Sequence, residues 1–564
     1  MKSYRLREKQ HDNLLQDLLL SRGIEGDEAA EHFLEPNFER DSHDPFLLPD
    51  MEQAVERILA AVKNNEKVAV WSDYDCDGIP GGVLLSEFLR GIGLEVTHYI
   101  PNRHVEGYGM NEGGVGELAE SGITLLITVD LGTTDFGPIT FAKEKGIDVI
   151  VTDHHLVQQL LPPAYAVINP KRLDSKYPFD GLCGAGVAWK LVQAILAKNR
   201  FNIGEGQEKW LLDLAGLGTL SDMVPLVGEN RMLASCGLLV MRRARRPGIA
   251  ALLSALKIKP ATLTEDDIGF MLAPRINAAS RMDSPQIAAR LLTTNSMVEA
   301  RELAARLNTI NDERKGLVAS ISREVNKRLE IMGAEGPVIV MGNPKWRPGV
   351  LGLVANSLMQ AHGGPVFLWG RDGSTSASEE DGLLRGSCRS DGSVSVVEVM
   401  AAAGQDGFFD HFGGHRASGG FSFTQDKAHE LSERLAHAYE ELASHAPAAE
   451  EVVLDRQLSI EEVPHAHQAL QRLAPFGIGN AKPLFIFPST LISSVRTFGK
   501  QKNHLELALS SPDGAGDDVV PGVAFFSTAD SFQKKIARGA HADIVGHVEL
   551  DWRGGPRIRV VDVI

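Results

Sequence analysis

Lys67-Val68-Ala69-Val70-Trp71-Ser72 runs directly into Asp73-Tyr74-Asp75-Cys76-Asp77-Gly78. An apolar, strand-like segment ends in acids at alternate positions, and a helical pattern from Pro80 to Leu89 follows. The same construction returns twice. Thr124-Leu125-Leu126-Ile127-Thr128-Val129 leads to Asp130-Leu131-Gly132, and Ile147-Asp148-Val149-Ile150-Val151-Thr152 leads to Asp153-His154-His155. Buried strands alternating with helices predict a parallel α/β sheet. Ligands bind at the C-terminal ends of such strands, where these acids and imidazoles stand. Charge so concentrated repels itself unless cations neutralise it.

Alternate residues on a strand-to-loop edge point the same way, so Asp73, Asp75 and Asp77 can converge on a hard cation. A calcium loop would carry Glu at its twelfth position; counted from Asp73 that position is Leu84, which disfavours calcium. Each piece has a plainer reading alone: an acidic surface turn, a helix N-cap at Asp130, two loop histidines. Neighbouring side chains on an extended segment face opposite ways, so one of His154 and His155 is expected to ligate and the other to do something else. Asp222 follows another apolar stretch, Leu217-Gly218-Thr219-Leu220-Ser221. Carboxylates mixed with imidazole favour manganese over pure magnesium or calcium sites. Two cations about 4 Å apart are a common solution for phosphate ester hydrolysis.

At 564 residues the chain is too long for one core. Hydrophobic content of 43% and charged content of 23% are those of a soluble globular protein. No segment has the apolar length of a membrane span, and the start has no apolar signal core, so a cytoplasmic protein is expected. Cys76, Cys183, Cys236 and Cys388 form no Cys-x-x-Cys pair, which argues against structural zinc and a disulfide framework. A net charge of −17 argues against a general nucleic-acid binder. Local basic patches remain: Arg242-Arg243-Ala244-Arg245-Arg246, and Lys500, Lys502, Arg553, Arg557 and Arg559.

Residues 1–50 read as a helical lead-in and 51–285 as the α/β domain. Residues 286–335 read as long helices joining it to a smaller α/β domain at 336–445, whose strands begin at Pro337-Val338-Ile339-Val340-Met341 and Pro365-Val366-Phe367-Leu368-Trp369. A linker is expected at 444–449. Residues 450–564 alternate in short segments such as Leu505–Leu509 and Ile558–Val563, which suggests a small β-barrel or sandwich.

Phosphate-binding chemistry is also present. Phe412-Gly413-Gly414-His415-Arg416-Ala417-Ser418-Gly419-Gly420 reads as a glycine-rich turn whose backbone amides can approach a phosphate. Leu384-Arg385-Gly386-Ser387-Cys388-Arg389-Ser390 offers hydroxyl and guanidinium donors. Pro101–Gly109 contributes Arg103 and Tyr108, and Pro274–Met282 contributes Arg275, Asn277 and Arg281.

The order Asp-Tyr-Asp-x-Asp-Gly, Asp-Leu-Gly, Asp-His-His, Ser-Asp-Met-Val-Pro-Leu and Gly-Gly-His resembles the DHH phosphoesterase family. Arg103–Gly109, Pro274–Met282, Gly386–Ser390 and Pro475-Phe476-Gly477-Ile478-Gly479-Asn480 resemble its branch of single-strand-specific exonucleases. The resemblance implies a DHH domain, a DHH-associated domain with the active site in the cleft between them, and an OB-like barrel completing a clamp. It implies 5′ to 3′ degradation of single-stranded DNA to nucleoside 5′-monophosphates in recombination and repair, with two Mn2+ or Mg2+ ions. By resemblance Asp75, Asp77, Asp130, His154 and Asp222 are metal ligands, with Asp130 between the ions. Asp73, His155 and His415 act at the metals or the scissile phosphate. Arg103, Arg275, Asn277, Arg281, Ser387, Arg389, Gly413 and Gly414 bind DNA, and Tyr108 stacks on a base. A single-stranded DNA-binding protein and a helicase are implied as partners of a monomer. Trp71, Ser280, Cys388, Ser418 and Gly419 depart from the family pattern, and Trp71, where many members have His, implies one protein ligand fewer. Two other readings compete. A hydrolase of oligoribonucleotides or cyclic dinucleotides would lack the β-rich tail. A catalytically silent single-strand-binding scaffold would have lost its acids.

Overall fold

The computed structural model describes residues 3–103, 105–333, 337–371, 382–443, 451–499, 502–512, 519–551 and 554–564. The expected linker at 444–449, Lys500 and Arg553 lie outside the described residues. The chain forms two compact units: 44–222 with 237–449, and 1–43 with 223–236 and 450–564.

The first unit holds a five-stranded sheet. Its strands are β1 (Lys67–Ser72), β2 (Glu95–Tyr99), β3 (Leu125–Val129), β4 (Asp148–Thr152) and β5 (Ala166–Ile168), in the order β2-β1-β3-β4-β5. Every pairing is parallel. All five residues of β3 are buried, as a sheet covered on both faces requires. Ser72 pairs with Val129, Val129 with Thr152 and Thr152 with Ile168, so the strands end level. The ladder continues one rung beyond them. The amides of Asp73, Asp130 and Asp153 donate to the carbonyls of Val129, Thr152 and Ile168 at 3.1, 3.0 and 3.1 Å. Sheet register alone therefore sets three acids side by side.

Helices α1 (Gly78–Gly91), α2 (Gly184–Lys198) and α3 (Leu212–Ser221) follow, with α4 (Ala273–Met282) beyond them. The apolar stretch before Asp222 is α3, not a strand; Asp222 sits at its C-cap. The 36-residue α5 (Met297–Met332) starts at Ser296, whose side chain accepts from the Glu299 amide, and ends at left-handed Gly333. It packs against α4 and against α6 (Pro348–His362). Its buried Ile321 and Val325 join a core with Val350, Leu351 and Val354 of α6.

A second sheet consists of β6 (Ile339–Gly342), β7 (Val366–Gly370), β8 (Leu383–Arg389), β9 (His411–His415) and β10 (Ser418–Thr424), in the order β9-β10-β8-β7-β6. The segment expected as a glycine-rich turn is a β-hairpin. Gly413 pairs with Gly420, Gly414 with Gly419 and His415 with Ser418. Residues without side-chain bulk let the two backbones lie this close: a Cβ on Gly414, at φ +142°, would stand 2.3 Å from the Ser418 carbonyl oxygen.

The second unit contains a closed barrel of β11 (Phe485–Phe498), β12 (His504–Ser510), β13 (Val520–Ala524), β14 (His541–Leu550) and β15 (Pro556–Val563). Neighbours run β11-β12-β13-β15-β14, and β14 pairs back onto β11. The lead-in is not only helical: Tyr4–Leu6 pairs in parallel with Val452–Leu454. Buried Arg231 ties this unit together, donating to the carbonyls of Phe33, Ala474 and Pro475. No helix among the described residues is long and apolar enough to cross a membrane.

Candidate active site

The first acidic loop is built by its own backbone. Asp75 Oδ1 accepts from the amides of Asp77 (2.7 Å) and Gly78 (3.0 Å), opening α1. From outside the loop, the Cys76 amide donates to Asn277 Oδ1 on α4 (2.8 Å), and the Cys76 carbonyl accepts from Ser221 Oγ on α3 (2.6 Å). Asp77 is held by the N-terminus of α2, where the amides of Gly184 and Ala185 donate to its two oxygens at 2.6 and 2.9 Å. An anion is favoured there by free amides and the helix dipole.

Two glycines permit this closeness. A Cβ on Gly184 would lie 2.4 Å from the Cβ of Asp130, and one on Gly218 would lie 2.5 Å from Asp77 Oδ1. Asp130 itself adopts φ +66°, a left-handed conformation that non-glycine residues rarely occupy and that costs about 1–3 kcal/mol.

Donor atoms from separate elements then converge. One group is Asp73, Asp75 and Asp130; a second is Asp77, His154 and Asp222; a third is Asp130, His154 and His155. Within each group the candidate ligand atoms lie within 4.8 Å of one another. His154 Nε2 is 3.1 Å from Asp130 Oδ1, 3.7 Å from Asp222 Oδ2 and 3.9 Å from Asp77 Oδ2. The expectation that the two histidines face opposite ways needs correction. Both approach Asp130, His155 Nδ1 at 4.0 Å, and their ring centroids are 4.7 Å apart. Chain bending after β4 removes the strand alternation on which that expectation rested. Asp153, absent from the expected site, orients them: its Oδ1 accepts from the His154 and His155 amides and from His155 Nδ1 (2.7 Å), and its Oδ2 accepts from the Thr133 amide.

Electrostatics give these carboxyls an abnormal character. Burial first, then the neighbouring Asp75, pushes Asp77 up to about 6. Burial, then Asp77 and Asp75, pushes Asp222 up to about 9. Asp73 and Asp130 rise for the same reasons. Burial drives His154 down to about 3, leaving it neutral and able to ligate. Burial would lower His155 too, but its hydrogen bond to Asp153 wins and raises it. Among the described residues Asp73 Oδ1, Asp130 Oδ1 and His154 Nε2 are buried without a hydrogen-bond partner. Converging anionic oxygens, a neutral imidazole and unsatisfied buried acceptors fit divalent cations.

Arginines border the acids. The Arg103 guanidinium lies 5.1 Å from the ring centroid of buried Tyr74. Arg281 Nη1 donates to the Gly349 carbonyl at the start of α6, and burial together with Arg103 and Arg314 lowers it to about 9. Ser387 and Arg389 are two residues apart on β8, hence on one face. Arg389 packs on Gly352 of α6, and burial lowers it despite the nearby Cys388 thiol. Exposed Tyr108 meets Tyr74 and His155 edge-on at 6.2 and 6.4 Å. Arg275 is turned inward, donating to Asn308 Oδ1 (2.5 Å) and the Met271 carbonyl (2.6 Å). Asn277 holds the acidic loop, as described. Gly413, Gly414 and His415 lie exposed on the hairpin, outside the converging donor groups.

Some members of the expected basic patches are held in ion pairs. Arg246 binds Glu87 and Asp213, and Arg557 binds Glu549. Sequence reading placed Asp153 at the strand end without a role and missed Gly184, Gly218 and Arg314. Only the run Cys183-Gly184-Ala185-Gly186 at a helix start carries a signal that could have pointed there.

Comparison with known proteins agrees with this geometry. The patterns of the DHH family, N-terminal domain, the DHHA1 domain and the RecJ OB domain match residues 67–219, 335–441 and 454–561. A "single-stranded-DNA-specific exonuclease RecJ" from Bacillus subtilis is 33% identical over 557 residues, covering 97% of this chain and 67% of that protein. One from Haemophilus influenzae is 34% identical over 489 residues, 83% of each chain. A crystal structure of RecJ in complex with Mn2+ from Thermus thermophilus aligns with a TM-score of 0.79 at 26% identity, covering 100% of this chain and 79% of that one. A crystal structure of exonuclease RecJ bound to manganese is 31% identical, covering 71% of this chain and 96% of that one, with a TM-score of 0.59.

Proposed function

The chain belongs to the RecJ family of DHH phosphoesterases, and from that premise and the site geometry we infer that it is a metal-dependent exonuclease specific for single-stranded DNA. The observation that carries the reading is the convergence of Asp73, Asp75, Asp77, Asp130, His154 and His155, at and just past the strand ends, with Asp222 from the end of α3 in three overlapping groups. Both competing readings lose support. The RecJ OB match over 454–561 disfavours a smaller DHH hydrolase, and the intact donor set disfavours a silent scaffold.

We assign two Mn2+ or Mg2+ ions to the Asp75, Asp77, Asp130, His154 and Asp222 carboxylates and imidazole, with Asp73 and His155 beside them. When bound, such ions lower the pKa of a water and stabilise charge on the attacking and leaving oxygens. The protein's own part is positional. Backbone amides of α2 fix Asp77, Asn277 and Ser221 fix the loop, and Asp153 fixes His155. Arg103, Arg281, Ser387 and Arg389 supply cationic and hydroxyl donors for DNA phosphates, including the 5′-terminal one, and Tyr108 offers a ring to a base. His415, on its hairpin, is assigned to the scissile phosphate. Degradation runs 5′ to 3′ and releases nucleoside 5′-monophosphates. The chain works in the cytoplasm as a monomer, beside a single-stranded DNA-binding protein and a helicase that supplies unwound ends.

The test is digestion of end-labelled single strands, with and without a 5′ phosphate, in Mn2+, Mg2+ or EDTA. Loss of label from the 5′ end only with metal is expected, and Asp130→Ala should lower kcat by about 1000-fold or more while sparing much of the DNA binding. Cleavage at the native rate by Asp130→Ala would refute the metal assignment.

A further inference from the structure

At the ends of α1 and α3 remote from the acids, the basic run 242–246 borders a cavity of about 450 Å3. Helix α1 lines it with Glu87 and Arg90, the start of α3 with Asp213, and the short helix Glu208–Leu211 with Trp210. Small-molecule sites have volumes of this order. Two neighbouring arginines of the run part company here. The chain turns through Ala244 at φ +47°, left-handed backbone that costs about 1–3 kcal/mol. Arg246 goes inward, donating to Asp213 and Glu87, each at 2.8 Å, and to the Leu292 carbonyl. Arg245 stays exposed, its guanidinium 4.6 Å from the ring centroid of half-exposed Trp210.

Charge in the cavity does not balance. Two carboxylates meet three guanidiniums, and Arg246 pairs with both carboxylates. Arg245 has no hydrogen-bond or ion-pair partner among the described residues, and Arg90 donates through Nη2 alone, to the Val96 carbonyl. Two properties are thereby asked of a ligand: negative charge for the spare guanidinium donors, and a planar face for the Arg245–Trp210 stack. Guanidinium and indole planes both take a nucleobase, and arginine donors suit a phosphate. Exposed Asn295, also on the lining, can hydrogen-bond a base edge.

Arg246 connects this cavity to the metal site. It clamps Glu87 of α1 to Asp213 of α3. Helix α1 begins beside Asp77 and α3 ends beside Asp222, and both acids belong to one donor group. At a rise of 1.5 Å per residue the clamp lies about 15 Å from those acids along each helix. A helix moves as a stiff rod, so a shift at the clamp alters the spacing of Asp77 and Asp222.

We propose that the cavity is a second site, for a nucleoside 5′-monophosphate, and that its occupancy slows the metal site through Arg246. The base lies on the Arg245–Trp210 stack, and the phosphate takes the spare N–H groups of Arg90. This rests on the exonuclease reading, whose product is that molecule.

The full chain is assayed on single-stranded DNA in Mn2+ with increasing deoxythymidine 5′-monophosphate (dTMP). Product held among the metals competes with DNA and raises KM; product in the cavity lowers kcat. Saturating dTMP should lower the native kcat by about 5-fold or more. Trp210→Ala should lose that response while its kcat without dTMP stays within twofold of native, and Trp210→Phe should keep the response. Arg245→Gln, at an exposed side chain, guards against a disturbed fold and should behave like Trp210→Ala. Inhibition that only raises KM, a kcat response that survives in Trp210→Ala, or an equal response to thymidine or inorganic phosphate alone would overturn the proposal. If the native chain degraded no DNA, the exonuclease reading would fall, and equilibrium dialysis of dTMP in EDTA would still decide the cavity. There Trp210→Ala should weaken binding by about 5- to 50-fold, and equal binding by both proteins would remove the site.

Discussion

Asp130 shows how much a single residue carries. It sits one rung past β3, in left-handed backbone, with a buried oxygen lacking any hydrogen-bond partner among the described residues. Such a residue is held in place by its surroundings, and without cations the acids around it repel. Their folded-state pKa values lie above ordinary carboxylate values, so the stability they contribute is complete below about pH 4. It is lost as pH rises through about 6 for Asp77 and about 9 for Asp222. Thermal denaturation in EDTA should therefore give a Tm that falls between pH 4 and pH 9. Asp222→Asn should flatten that fall and raise the metal-free Tm at pH 8 by about 2–5 °C, while abolishing the Tm gain on adding Mn2+. An unchanged Mn2+ response in Asp222→Asn would exclude it from the metal set. The acids were legible in the sequence because each follows an apolar run. The conformation of Asp130 was not, since nothing in Val129-Asp130-Leu131 dictates a positive φ.

Elements place these residues. Helix α2 enters the site through Gly184, whose missing side chain lets Asp130 lie against the helix start while the α2 amides bind Asp77. Gly184→Ala should keep α2 helical, because Gly184 needs no left-handed backbone, yet its Cβ would meet the Cβ and Cα of Asp130 at 2.4 and 2.8 Å and displace that residue. The expected result is a kcat loss of about 100-fold with unchanged far-UV circular dichroism; a kcat within twofold of native would show that Asp130 tolerates displacement. Strands β1, β3 and β4 were readable from composition. The β9–β10 hairpin was not, because Phe412–Gly420 is dominated by glycine and read as a turn; cross-strand pairing of Gly413 with Gly420 arises only when β8 offers β10 a partner. Arg314 lies in the middle of α5 with no local signal; its proximity to Arg281 follows from how α5 packs on α4.

For the whole molecule, a net charge of −17 coexists with a local gathering of cations, since Arg103 lies near both Arg281 and Arg389, the arginines proposed for DNA phosphates. Phosphate contacts displace counterions, so log Kd for a dT 20-mer in EDTA should rise linearly with log salt between 50 and 200 mM. Three or more contacts with a single strand predict a slope of about 2 or greater. A flat line would remove phosphate contact as the basis of binding. The match of one family's DHH, DHHA1 and OB patterns along the chain agrees with the order of segments read from the sequence. The division into compact units differs from a linear reading, since residues 1–43 and 223–236 fold with the C-terminal barrel. Contacts such as Arg231 with the Ala474 and Pro475 carbonyls join segments more than 240 positions apart, and local composition carries no trace of them.

By itself the sequence determined the strand ends that bear acids, the kinds of donor atom available and hence the hard-cation, phosphate-directed chemistry, because period, composition and ligand type are local properties. Tertiary structure alone decided which donors share a group, that both histidines approach Asp130, and which partners Asn277 and Arg275 hydrogen-bond. Those outcomes depend on distances between remote segments, set by sheet register, helix packing and the steric room that glycines leave.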